Sequence, residues 1–158
     1  MTEAVKKKKL LIICSKGTLD MAFPPFMLAT TASSMGWESH LYFTFWGMDI
    51  ITKSKVDNLK ISPVGNPSMP LPNIVGVIPG MTGMATSMMK DQMNKSGMPT
   101  LRSLIDMARE MGVQFHACTA TMTMMGLKKE DLIPEGTDLI GAATYLTLAE
   151  DATVTLFV

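Results

Sequence analysis

The chain has 158 residues, 47% apolar and 18% charged, which is the size and composition of one globular domain and excludes a disordered or fibrous protein. Its 14 Lys and Arg balance its 14 Asp and Glu, so the clustered positive charge that holds nucleic acid or an anionic membrane is lacking. The 17 methionines are the one excess, and composition alone assigns them equally to core, partner surface or ligand site.

The basic run Lys6–Lys9 leads into Leu10-Leu11-Ile12-Ile13-Cys14 and stops at Ser15-Lys16-Gly17. A secretory signal needs an apolar core of roughly 7–15 residues, so residues 1–7 read as a solvated tail of a single domain spanning 1–158. Two cysteines without CxxC spacing make neither a disulfide scaffold nor a zinc knuckle, and are expected as reduced thiols of a cytoplasmic protein. The uncharged runs 21–37 and 61–89 are interrupted by Pro and Gly and do not qualify as membrane spans, although the second is a candidate for contact with a membrane or a partner. His40 and His116 are the only imidazoles, and no helix sets two ligands at i, i+4, so no metal is expected.

Lys8–Cys14 reads as a first strand, continuously apolar as strands buried on both faces are. Ser15–Asp20 is a polar turn, and Phe23–Met35 a helix whose Pro24 and Pro25 fit only its first turn, with Gly36 as its stop. Ser39–Trp46 is a second strand and Met48–Leu59 a short helix with Ile50, Ile51 and Val56 as its stripe. Ile61–Gly80 is a long Pro/Gly-rich loop. Helices over Met81–Lys95 and Leu101–Met111 precede a third strand, Val113–Cys118. A short helix Thr119–Gly126, a helical turn Lys128–Ile133, a strand Asp138–Gly141, a helix Ala142–Ala149 and a terminal strand Thr153–Val158 complete the chain. This alternation predicts a three-layer α/β/α fold with right-handed crossovers and a mainly parallel sheet of about five strands.

Cys14 and Cys118 each close a strand, which in such sheets is the rim where ligands bind. A thiol entering a helix N-terminus is acidified, and Cys118 directly precedes Thr119, the first residue of such a helix. Cys14 reads either as apolar filler or as a second thiol on the same rim. His116, two residues before Cys118 and on the same strand face, is a candidate base for it, or an ordinary core histidine. Ser15-Lys16-Gly17-Thr18, with Asp20, is either a phosphate cradle of the flavin or nucleotide type, a tuner of the thiolate or a solvated turn; it has no GxGxxG or P-loop spacing. Met81, Met84 and Met88 recur at i, i+3, i+7, the spacing of a core stripe, while Met is also favoured at adaptable interfaces.

Several blocks occur together in order: Leu11–Ala22, Phe43–Gly47, Pro79-Gly80-Met81, Ala117-Cys118 with its Met-rich tail, and Gly141–Leu146. Over about residues 8–158 they resemble the DsrE/DsrF-like family, nearest its DsrE-related, peroxiredoxin-like branch of sulfur-metabolising bacteria and archaea. That resemblance implies a three-layer, oligomeric protein that holds sulfane sulfur as a cysteine persulfide and exchanges it with small TusA-like carriers. Cys118 matches the family's sulfur-accepting position, whereas Cys14 has no clear counterpart. Thr119–Thr123 lacks the acidic residue found near the thiol in some relatives. No organic cofactor is implied, and Gly17 and Thr18 are expected to bound the pocket from across the rim. The alternatives are a flavin- or nucleotide-binding module using Ser15–Thr18, and a non-catalytic oligomer that docks partners through its Met-rich helix.

Overall fold

The computed structural model describes residues 7–62 and 78–158. Most of the long loop expected over Ile61–Gly80 therefore lies outside the described residues, as does most of the basic tail.

The chain runs β1 (Lys9–Cys14), α1 (Leu19–Ser34), β2 (Glu38–Phe43), 3-10 turns at Phe45–Ile51 and Val56–Asn58, α2 (Met81–Lys95), α3 (Leu101–Glu110), β3 (Gln114–Cys118), α4 (Thr119–Met125), a 3-10 turn at Lys129–Asp131, β4 (Asp138–Ile140), α5 (Ala142–Ala149) and β5 (Val154–Phe157). The five strands are all parallel, in the order β4-β3-β2-β1-β5. From β1 to β4 the chain steps steadily toward one edge, then returns across the whole sheet to β5. Right-handed crossovers consequently put α5 on the face opposite the other helices.

Strand alternation sorts the side chains onto these two faces. Leu10, Ile12, Cys14, Leu41, Phe43, Phe115 and Ala117 point to the first face, where Phe26 of α1 and Ile105 and Ala108 of α3 close a large core. Phe26, Phe43 and Phe115 meet there with ring centroids 6.0–6.1 Å apart. Leu11, Tyr42 and Cys118 point to the second face and pack with Tyr145 of α5 in a smaller cluster.

Three expectations need correction. First, α1 starts at Leu19, so Pro24 and Pro25 lie inside the helix rather than in its first turn. Each proline removes an interior hydrogen bond; burial of Leu19, Ala22, Phe23, Phe26 and Ala29 at helical spacing offsets that loss. Second, β2 ends at Phe43 instead of Trp46: the Thr44 N–H makes the last ladder bond to β1, to the Cys14 carbonyl at 3.0 Å, and Phe45 then leaves extended backbone with a left-handed φ of 45°. The helix expected over Met48–Leu59 is replaced by two 3-10 turns, although Ile50, Ile51 and Val56 are buried as its stripe predicts. Third, Met84 and Met88 are exposed, and α2 packs on the core through Thr86, Met89 and Met93. The i, i+3, i+7 methionines therefore follow the outer side of that helix.

Two glycines let the β1–α1 and β2–3-10 connections touch. A Cβ on Gly47 would sit 2.0 Å from the Cys14 carbonyl oxygen, and one on Gly17 would sit 2.2 Å from the Trp46 carbonyl oxygen. Gly47 N–H donates to the Ser15 carbonyl at 3.1 Å, so this close approach is also a hydrogen-bonded one. No helix among the described residues is long and apolar enough to cross a membrane.

Candidate functional site

The connection leaving β3 stays on the first face, where Met122 of α4 joins the main core, while α5 leaves β4 for the second face. Between the ends of β3 and β4 the two outgoing connections thus part. Open α/β sheets bind ligands at such switch points. Cys118, paired in register with Ile140, is the last residue of β3 and the N-cap of α4. The residue is buried, 9% exposed, at the rim end of its strand.

Three neighbouring side chains stabilise the anionic form of that sulfur. Burial by itself pushes the Cys118 thiol up; hydrogen bonds from the Tyr42 hydroxyl, the Thr121 hydroxyl and backbone N–H and the Thr44 hydroxyl outweigh it and bring the group down to about 7. Tyr42 stays a donor, because burial and then the adjacent Cys118 raise its own ionisation well above the ordinary phenol range. Thr121 is held in turn: the Phe45 N–H donates to its Oγ1 at 3.1 Å, and the Thr44 hydroxyl, 3.1 Å from that oxygen, has one hydrogen to give either to it or to the sulfur. The left-handed turn at Phe45 is what carries that N–H there. Tyr145 of α5 packs its ring on Tyr42 at 4.8 Å between centroids and fixes the phenol over the thiol.

Cys14 has the opposite environment. It is 1% exposed, belongs to the first-face core, and burial raises its thiol far above the usual range. The register Cys14–Phe43–Ala117 sets β1 and β3 two strands apart, about 9.6 Å, with the thiols on opposite faces. That exceeds the ~7 Å Cα limit for a disulfide, so the two cysteines share a rim without being able to pair. Both are free.

The turn residues are separated from the thiol as well. Lys16, Gly17, Thr18 and Asp20 line an open cleft with Met21, Trp46, Asp49 and Ser62, and Cys118 is not part of it. Ser15 instead ties β1 to the chain end, its N–H and hydroxyl donating to the Val158 carbonyl at 2.7 and 3.0 Å. The carboxylates of this cleft are already partnered, Asp20 accepting the Ser62 N–H at 3.2 Å and Asp49 pairing with Lys55 at 2.6 Å. Gly17 and Thr18 thus bound this cleft, which Cys118 does not line. Thr119 is exposed at the β3–α4 junction, its hydroxyl oxygen beside Gly141.

His116 shares its strand face with Cys118, yet neither of its nitrogens contacts the sulfur. Nε2 meets His40 Nδ1 at 2.9 Å, and Nδ1 has no hydrogen-bond partner. The direct contact that a base would need is missing. Among the described residues, the cluster around Cys118 contains no methionine either: Met48 and Met122 are in the first-face core, and Met89, Met93, Met98 and Met125 pack against it. Among the described residues no group of three or more His, Cys, Asp or Glu is placed to hold a metal ion.

Tyr42, Thr44, Thr121 and Tyr145 are absent from the sequence-based site. The signal for Tyr42 and Thr44 was the alternation His40-Tyr42-Thr44 along β2 and just past its end, which becomes informative only once β2 and β3 are known to pair in parallel with Tyr42 beside His116.

Over 162 residues, 98% of this chain and 100% of the relative, the sequence is 36% identical to the sulfur carrier protein DsrE2 of Allochromatium vinosum. It is 32% identical over 168 residues, the full length of both chains, to the uncharacterized protein YrkE of Bacillus subtilis. The DsrE/DsrF/DrsH-like family matches residues 6–157. With its five-stranded parallel sheet and a match along nearly its whole length, the chain belongs to the DsrE/DsrF/DrsH-like family.

Proposed function

We propose that this protein is a sulfur carrier and sulfurtransferase in which Cys118 holds sulfane sulfur as a persulfide. The observation that carries the reading is the acidified thiol of Cys118 at the end of β3, set against a Cys14 whose thiol burial raises far above the usual range. A relative named a sulfur carrier protein supports it. The thiolate attacks the outer sulfur of a donor persulfide. A bond forms between that sulfur and Sγ, the donor's S–S bond breaks, and the donor leaves as a thiol carrying the proton of the transferred S–H. Cys118 is left as a persulfide anion. Delivery reverses the step, with an acceptor thiolate attacking the outer sulfur and Cys118 as leaving group. Tyr42, Thr44 and Thr121 serve both directions, since they stabilise the charge on Sγ when it is attacking or departing.

No oxidant or organic cofactor enters this exchange. The partner is a small thiol-bearing carrier of the TusA-like kind. Phe45, Trp46 and Leu146 are exposed apolar side chains on the segments that leave β2 and β4, and they offer such a carrier, or a second copy of this chain in a homo-oligomer, an apolar landing. Free thiols suit a cytoplasmic setting.

Intact-protein mass spectrometry after incubation with a polysulfide donor tests the reading. Wild type and Cys14→Ala are expected to gain the mass of one sulfur atom, removable by dithiothreitol, and Cys118→Ala to gain none. An unmodified wild type, or a Cys118→Ala variant that still loads, overturns it.

A further inference from the structure

A row of four side chains crosses the second face of the sheet one step below Cys118. His40 Nε2 lies 2.7 Å from Glu38 Oε1, His40 Nδ1 lies 2.9 Å from His116 Nε2, and His116 Nδ1 faces Asp138 Oδ2 at 3.8 Å. The two rings are buried and nearly parallel, 13° apart. The other ionisable groups on this face are Lys9 of β1, paired with Asp151 at 2.5 Å, Tyr42 of β2, Cys118 of β3 and Tyr145 of α5.

Hydrogen counting limits the states of the row. The Glu38 carboxylate only accepts, so His40 Nε2 carries a hydrogen. With both rings neutral, His40 Nδ1 is then bare and accepts from His116 Nε2. That leaves His116 Nδ1 bare as well, buried, unpartnered and facing a carboxylate, one acceptor against another. A single added proton removes the conflict. Whichever ring bears the formal charge, His116 Nδ1 becomes an N–H directed at Asp138, and one hydrogen remains between the rings. A second added proton would set two hydrogens into the 2.9 Å contact. Burial, and then the neighbouring His40, also hold ionisation of His116 down to about 4 against the opposing pull of Asp138. The row therefore has room for one proton.

His116 and Cys118 lie two residues apart on one strand face, about 7 Å along the strand. We propose that the Glu38–His40–His116–Asp138 row is the counter-charge of the sulfur site: it binds one proton when the sulfur on Cys118 is anionic, as thiolate or persulfide, and gives it up when that sulfur is neutral. His40 and His116 are thus positioning residues that act through charge. The proposal rests on Cys118 as the sulfur-carrying residue. A unit charge about 7–10 Å away, at the effective dielectric of protein sites, shifts a pKa by roughly one to two units, and solvent at the rim screens this toward the lower end.

The test reads the row directly. Cys118 is alkylated in the folded wild type with iodoacetate, which leaves a fixed negative charge, or with iodoacetamide, which leaves a neutral group of similar size. The ring nitrogens of His40 and His116 are then titrated by nitrogen-15 NMR. The expected result is one shared protonation step, with the new hydrogen at His116 Nδ1 and a midpoint about half a unit to one unit higher in the anionic adduct. Independent titration of the rings, or equal midpoints in the two adducts, overturns the proposal. In His40→Gln and His116→Gln, the midpoint of the Cys118 alkylation profile is expected to rise by a similar amount, whereas a purely structural role would lower the rate at every pH and leave the midpoint in place. Sulfur loading is not used in any arm, so failure of the persulfide reading and failure of the row are seen separately.

Discussion

Gly47→Ala is expected to destabilise the protein by ~3 kcal/mol or more, because the new Cβ meets the backbone of β1 and not a side chain that can rotate away. The Cβ position lies 2.0 Å from the Cys14 carbonyl oxygen and 2.6 Å from its carbon. Relief requires the Thr44–Gly47 connection to move off the end of β1, breaking the Thr44-to-Cys14 and Gly47-to-Ser15 hydrogen bonds. For a chain of this size the melting temperature should fall by roughly 10 °C. The same displacement carries Phe45 away from Thr121, so the Cys118 thiol should also become less acidic. Gly83→Ala is the matched control: it lies inside α2 with nothing within 4 Å, and alanine there should stabilise by ~0.5–1 kcal/mol. Thermal unfolding of both variants checks the pair, and an unshifted Gly47→Ala would contradict the described contact.

Tyr42→Phe is expected to have the largest effect on reactivity at small cost to the fold. The phenyl ring keeps the contact with Tyr145, whose centroid lies 4.8 Å away, and loses only the hydroxyl that donates to Cys118. A hydrogen bond to a charged group contributes roughly 1.5–3 kcal/mol, and the low end applies here because the Thr44 and Thr121 donors remain. The thiol should rise from about 7 by roughly one unit, slowing alkylation at pH 7 by about fivefold to tenfold and leaving the plateau at high pH unchanged. An alkylation profile with its midpoint unmoved would show that the phenol is not what holds the thiolate.

Much of the architecture was legible because periodicity reports it directly. The unbroken apolar run Leu10–Cys14 could only be a strand covered on both sides, and α5 has the very bounds that its pattern predicts. What misled was local chemistry set against tertiary packing. Pro24 and Pro25 mark a helix start by propensity, yet the apolar residues on both sides of them belong to one face, and burial carried the helix through. The methionine spacing in α2 was a true helical period that named the wrong side, since Met84 and Met88 mark one face as readily as Met89 and Met93 mark another. The site was half legible. Cys118 at a strand end before a helix can be found by reading along the chain. Which side chains bathe its sulfur depends on the β2–β3 register, a pairing between residues 76 or 77 apart that no local pattern encodes. The same parity explains Cys14: one residue of offset in register turns two rim thiols to opposite faces of the sheet.

The central claim is that one fold makes Cys118 a thiolate near neutrality and keeps Cys14 a thiol. It is tested most directly by alkylating the folded wild type from pH 5 to 10 and following both cysteines in the same digest. Modification of Cys118 should rise with pH to a half-maximum near 7, where its thiolate is half formed, while Cys14 stays unmodified throughout. A Cys118 half-maximum near the ordinary thiol value of 9, or Cys14 reacting alongside it, would contradict it.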